Sequence, residues 1–251
     1  VYAHFRKIDR ARTSDSAVAK SNVLLIGPSG TGKTLMCETL SRVLGVPFVT
    51  AEATALAQTR FVNEEIEAVL QRLIERAHGD VDAARRGIVF IDEIDKLKSG
   101  GTRDGGSSGE SVQHALLKIM EGAQVKIGDG RYLDTTDILF ICGGAFVALD
   151  EIIKSQTHGY GFIATSTGDN RRILERLNSR VKPTDLFTYG LIPEFTGRLP
   201  IIARFEALSR AMLVRIMTEP RNAIYPQFRD IFSAEGVDLV VEPKVFEQIA
   251  E

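Results

Sequence analysis

Eight consecutive residues, Gly27-Pro28-Ser29-Gly30-Thr31-Gly32-Lys33-Thr34, have the types and spacing to hold a chain of phosphates. Glycines let backbone N–H groups turn inward around phosphate oxygens, where a Cβ would obstruct them. The lysine reaches the β- and γ-phosphates, and the threonine hydroxyl is a hard oxygen ligand for Mg²⁺. The pattern is specific only when a strand precedes it and a helix follows. Both conditions are met, by the apolar run Val23-Leu24-Leu25-Ile26 and by a helical pattern from Leu35 through Leu44. A helix start also presents the positive end of its dipole to an anion. The stretch therefore implies a nucleoside triphosphate with Mg²⁺, contacted by Pro28, Ser29, Gly30, Thr31, Gly32, Lys33, Thr34 and Leu35.

A second constellation closes the apolar run Gly87-Ile88-Val89-Phe90-Ile91 with Asp92-Glu93. In a parallel sheet, strand C-termini open onto the same crevice as the phosphate loop. Asp92 is then placed to hold Mg²⁺ through water, and Glu93 to polarise an attacking water. The other reading of Asp92, Glu93 and Asp95 is an acidic helix N-terminus, favoured by the helix dipole.

These groups need a scaffold, and the chain alternates strand and helix patterns. Further strands are expected at Phe48–Thr50, Ile138–Cys142, Leu199–Arg204 and Val237–Val241. Helices are expected at Asn63–Arg76, Gln113–Met120 and Leu213–Ala223. Such alternation predicts an α/β fold, a parallel sheet flanked by helices. Glycine- and serine-rich stretches at 98–110 and 157–168 read as loops. We expect a large nucleotide-binding domain over 1–205 and the truncated beginning of a small α/β domain over 206–251. Because the first residue is Val1, we expect a fragment of a longer protein.

A net charge of −2 over 251 residues argues against a simple basic nucleic-acid binder. Cys37 and Cys142 lie among apolar neighbours without CxxC spacing, which points to a reducing compartment. No apolar run reaches membrane-spanning length. A guanine-specific Asn-Lys-x-Asp is absent, and the Asp92-Glu93 pair suits an ATPase better than a GTPase switch or P-loop kinase. A DNA clamp or initiator built on the same core is the binding-module alternative.

The blocks SNVLLIGPSGTGKT, RGIVFIDEIDK, ALLKIMEG, ILFICGGAF and GLIPEFTGRLP, in this order, resemble the ClpX family of AAA+ protein unfoldases, with the HslU unfoldases the nearest competing resemblance. The resemblance implies an AAA+ P-loop NTPase that uses ATP and Mg²⁺, assembles as a homo-hexamer and passes unfolded or tagged proteins to a ClpP-like peptidase ring. It implies a cytoplasmic location, bacterial cytosol or mitochondrial matrix, with no membrane or nucleic-acid partner. It assigns Arg198 to a neighbouring subunit's nucleotide; taken alone, that arginine reads as a solvated surface residue. It places Phe61 and Val62 in a substrate-gripping pore loop, where Arg60 and Asn63 replace the family's flanking glycines. The alternative is that Phe61 and Val62 are the first core contacts of the next helix. Arg103 and Asp104 fall in the second pore loop, and Tyr160-Gly161-Phe162 occupies the peptidase-docking position with Tyr in place of an aliphatic residue. The stretch from Gly122 to Thr135 lacks the family's basic entrance loop. Together with the altered pore and docking loops, this leaves open a diverged remodelling factor without a peptidase.

Overall fold

The sheet is built from five parallel strands, and the side-chain alternation along its central three decides what each face covers. A computed structural model describes residues 1–11, 20–98, 108–128, 130–157, 181–220 and 222–250. Helix α1 (Tyr2–Ala11) precedes β1 (Val23–Ile26), α2 (Lys33–Leu44), β2 (Phe48–Glu52), α3 (Ala53–Gln58), α4 (Val62–Arg76), α5 (Val81–Ala84) and β3 (Ile88–Asp92). Helix α6 (Gly109–Glu121) follows, then β4 (Gln124–Lys126), β5 (Tyr132–Asp134), β6 (Leu139–Gly144) and α7 (Leu149–Thr157). After these come α8 (Pro183–Tyr189), α9 (Pro193–Gly197) and β7 (Ile201–Arg204). The strand order is β2-β3-β6-β1-β7, with β4 and β5 forming a separate antiparallel hairpin.

Along β1, β3 and β6, Leu24, Ile26, Val89, Ile91, Phe140 and Cys142 face the larger core, shared with α3, α4 and α6. Their neighbours Val23, Leu25, Ile88, Phe90, Leu139 and Ile141 face a second core with Phe5 of α1 and Cys37 of α2. Burial on both faces is why these strands read as continuous apolar runs rather than alternating ones. Both cysteines are free and buried. Helix α2 stops at Gly45, which adopts φ 65° and donates its N–H to the last-turn carbonyls.

Contacts divide the chain into units at 1–205 and 206–251. The second unit contains α10 (Arg210–Thr218), α11 (Ile224–Ala234) and α12 (Pro243–Ile249). Ser209 caps α10 by accepting from the Met212 N–H at 3.3 Å. The strand expected over Val237–Val241 does not form among the described residues. A β-rich sequence forms no ladder where no second strand lies beside it. Short elements with weak periodicity, α5, α7 and the β4–β5 hairpin, are additions to the sequence expectation.

Buried polar groups tie α1 to the sheet. His4 Nε2 donates to the Asp137 carbonyl at 3.0 Å. Lys20 Nζ donates to the Thr135 carbonyl at 2.7 Å and lies 4.6 Å from the centre of the Phe140 ring. Burial drives the Lys20 ammonium down to about 7, with Asp137 and Asp134 opposing. Burial also pushes the Cys37 and Cys142 thiols up to about 12. Between pH 7 and Lys20's unfolded value near 10.5 the unfolded chain binds the extra proton, so stability rises with pH. Above pH 9 the unfolded chain loses the thiol protons first, and stability falls. We predict that unfolding free energy climbs from pH 7 to 9, by at most about 1.4 kcal/mol per pH unit for one such group, and that melting temperature climbs with it. Lys20→Met should flatten the climb. Differential scanning fluorimetry across that range checks it, and an unchanged slope in the variant would assign the effect elsewhere.

Candidate nucleotide site

The loop between β1 and α2 folds around its own lysine. Lys33 Nζ, largely buried, donates to the carbonyls of Gly27 at 2.7 Å and Pro28 at 2.9 Å. The Thr31 hydroxyl donates to the same Pro28 carbonyl at 2.8 Å. An ammonium buried without acceptors would be costly, so these carbonyls hold it in place and the loop in shape. Gly30 and Gly32 take φ 78° and 86°, the left-handed region that side chains resist. Gly32 caps α2, its carbonyl accepting from the Met36 N–H at 2.9 Å.

The acids lie across a cleft of about 480 Å³. Ser29, Gly30, Gly32, Lys33, Thr34 and Leu35 line one wall, and Asp92, Glu93, Asp95, Lys96 and Ala145 line the other. Pro28 and Thr31 shape the loop without lining the cleft. Asp92 ends β3 in register with the last residue of β2, and its Oδ1 accepts from the Glu93 N–H at 2.8 Å. Glu93 adopts φ 58°, an uncommon state for a residue with a side chain, and caps no helix with its carboxylate. The helix that follows is a single 3₁₀ turn, Ile94–Lys96. Glu93 Oε2 instead accepts from the Thr54 hydroxyl of α3 at 2.7 Å. Gly143 of β6 leaves room for the acids, since a Cβ there would come within 2.7 Å of the Phe90 ring and 3.1 Å of Asp92 Oδ1.

Two residues that line the cleft, Asp95 and Lys96, and one that binds Glu93 from outside its lining, Thr54, escaped the sequence reading as functional groups. Asp95, 3% exposed, accepts from the Ala145 and Phe146 N–H groups, each at 3.3 Å. It therefore fixes the turn after β6 against the acids. Thr54 had no local signal, because its partner is 39 residues away. Lys96 entered the sequence reading only as the last residue of the block RGIVFIDEIDK.

The remaining candidates lie elsewhere. Arg198 does not line this cleft: it follows α9 and pairs with Glu121 at the end of α6. The Phe61-Val62 pair is split. Phe61 precedes α4 and is 64% exposed, whereas Val62 begins the helix and is buried in the larger core. Val62 therefore belongs to packing, because the first turn of an amphipathic helix points its apolar stripe inward. Arg103, Tyr160, Gly161 and Phe162 lie outside the described residues.

The cleft fits a magnesium nucleotide. Its cation and turned-in glycines suit phosphates, while Thr34 and Asp92 are oxygen donors of the hard type Mg²⁺ takes. Residues 18–202 match the family described as AAA domain (Cdc48 subfamily). The chain is 42% identical over 280 residues to the "ATP-dependent Clp protease ATP-binding subunit ClpX 3" of Methylococcus capsulatus, covering 100% of this chain and 64% of that protein. It is 45% identical over 248 residues to the ClpX subunit of Azotobacter vinelandii, covering 92% of this chain and 56% of that one. It is 42% identical over 269 residues to that of Treponema denticola, covering 100% and 64%. The chain thus spans less than two thirds of the length of these curated relatives.

Because Lys33 holds the loop as well as facing the cleft, Lys33→Ala should lose nucleotide binding by roughly 100-fold or more. A ligand at 100 times its Kd stabilises by about 2.7 kcal/mol, and a 100-fold weaker Kd leaves about 0.4 kcal/mol, so the thermal shift given by Mg²⁺ and nucleotide should nearly disappear in this variant. A retained shift would place the nucleotide elsewhere.

Proposed function

Because the chain belongs to the AAA family, and because it is similar along its length to ClpX subunits, we propose that it is the ATP-hydrolysing motor of a ring-forming protein unfoldase. The observation that carries this reading is the convergence of Lys33, Thr34, Asp92 and Glu93 on one cleft. Lys33 and the loop N–H groups would hold the β- and γ-phosphates, and Thr34 with Asp92 would hold Mg²⁺. Held there, the ion would supply charge neutralisation at the phosphate oxygens. Glu93 orients the attacking water and accepts its proton on a carboxylate oxygen. The Thr54 hydroxyl takes one lone pair of Oε2, which leaves Oε1 and the other lone pair of Oε2 to accept from the water.

Arg198 completes the site in trans. Its carbonyl is bound by Asn22 at the N-terminal end of β1, while the chain's own phosphate loop follows the C-terminal end. Four strand residues, about 13 Å, separate the two. An arginine on that side serves a neighbour's phosphates, as a homo-hexameric ring requires. Exposed Phe61 is the substrate contact. A rigid apolar ring wedges between side chains of any passing polypeptide without needing specific hydrogen bonds. Residues 1–205 are the large AAA+ domain and 206–251 belong to the small one. We place the protein in the cytosol or mitochondrial matrix, acting on unfolded or tagged proteins with a ClpP-like peptidase.

Glu93→Gln should keep nucleotide affinity and stop hydrolysis, whereas Arg198→Ala should slow hydrolysis by on the order of 10³-fold or more with affinity intact. Mixing the two variants should restore some turnover, measured as phosphate release. No restoration would confine Arg198 to its own subunit. Phe61→Ala should leave ATP turnover near normal while unfolding of a folded fluorescent reporter collapses. Loss of both activities would contradict a gripping role.

A further inference from the structure

Arg198 is not a loose surface side chain. Its backbone is held on both sides: the N–H donates to the Phe195 carbonyl at 3.1 Å, and the carbonyl accepts from Asn22 Nδ2 at 3.1 Å. Asn22 is 1% exposed, and the same Nδ2 reaches the Met120 carbonyl at 3.4 Å. Its Oδ1 accepts from the Phe140 N–H at 3.3 Å. One buried amide thus ties the residue before Glu121 to Arg198 and to β6. Glu121 then takes the guanidinium by one edge: Nε donates to Oε1 at 2.8 Å, and Nη2 lies 2.6 Å from the same oxygen. Glu121 is itself fixed, because the carbonyl two residues earlier accepts from the buried Thr135 hydroxyl at 2.8 Å.

We infer that Asn22 and Glu121 form a clamp that positions Arg198 for the neighbouring subunit's nucleotide, with Glu121 a positioning residue for hydrolysis. This rests on the reading of Arg198 given above. A guanidinium carries five N–H donors in a planar fork. Glu121 uses the Nε and Nη2 side, which leaves the Nη1 donors outside the pair and available for phosphate oxygens. The backbone anchor sets where the side chain starts, and the carboxylate sets the rotation of the plane. An unclamped arginine samples many rotamers, and only a fraction of them present the fork correctly. Misplacement of a reacting contact by an ångström can cost about 100-fold in rate. The ion pair is half exposed on both sides, so its contribution to fold stability is small.

The test measures kcat, nucleotide Kd, ring assembly and melting temperature in the assembled protein. Glu121→Ala should lower kcat roughly 10- to 100-fold, with the other three unchanged. Glu121→Gln keeps the acceptor Oε1 and should recover most of the rate. In an Arg198→Ala background, Glu121→Ala should add nothing, since the residue acts only through the arginine. An unchanged kcat in Glu121→Ala overturns the clamp, as does an additive loss in the double variant. A raised kcat would make Glu121 a latch that holds the arginine back. Loss of assembly would make it an interface residue. If Arg198→Ala itself turns over normally, the underlying reading of the arginine fails, and the clamp falls with it.

Discussion

The parallel register of β1, β6 and β3 is the constraint on which the rest of the molecule depends. Ile26 lies beside Gly144, and Ile91 beside Cys142, so the phosphate loop, the turn after β6 and the acids leave the sheet at one edge. Strand side chains alternate faces, so a slip of one residue would carry Asp92 to the opposite side and exchange the apolar sets of the two cores. Burial on both faces makes such a slip expensive. The hydrophobic cores therefore do more than hold the domain together: they fix the relative placement of charged groups that have no direct contact with one another.

Charged and polar groups near that edge are tolerated because the backbone answers them. Lys33 finds two loop carbonyls, and Asp95 finds two N–H groups after β6. Gln113, fully buried in α6, donates to the Leu97 carbonyl at 2.6 Å and accepts from the Ile192 N–H at 2.8 Å. That amide joins the segment after the acids to the segment ahead of Arg198. In a low-dielectric interior such bonds strengthen, and losing one partner leaves the other unsatisfied. Asn22 does the same between β1, β6, α6 and the arginine. The two buried amides give the nucleotide edge and the arginine side of the domain a shared, rigid frame.

Membership of the AAA family explains why the nucleotide half of the molecule follows a known plan. The nucleotide half is constrained by phosphate geometry, which tolerates little change. A surface that grips polypeptides of any sequence needs only bulk and apolarity, which the exposed Phe61 ring would supply in the proposed role without the flanking glycines.

The sequence by itself determined the strand, glycine loop and helix around Lys33, the acids closing β3, and the apolar strands of the parallel sheet. Each of these is written in residues within a few positions of one another, where periodicity and turn chemistry act. It also left Phe61 and Val62 as a pair with two readings. Only the tertiary structure split them, sending Val62 into the core and Phe61 to solvent. Tertiary structure likewise decided that Thr54 binds Glu93, that Glu121 binds Arg198 and that Asn22 reaches Arg198, contacts spanning 39, 77 and 176 residues. It decided too that Val237–Val241, strand-like in composition, stays unpaired among the described residues. A strand needs a partner and a buried polar side chain needs an acceptor, and both are supplied by whatever the fold brings near rather than by neighbours in the chain.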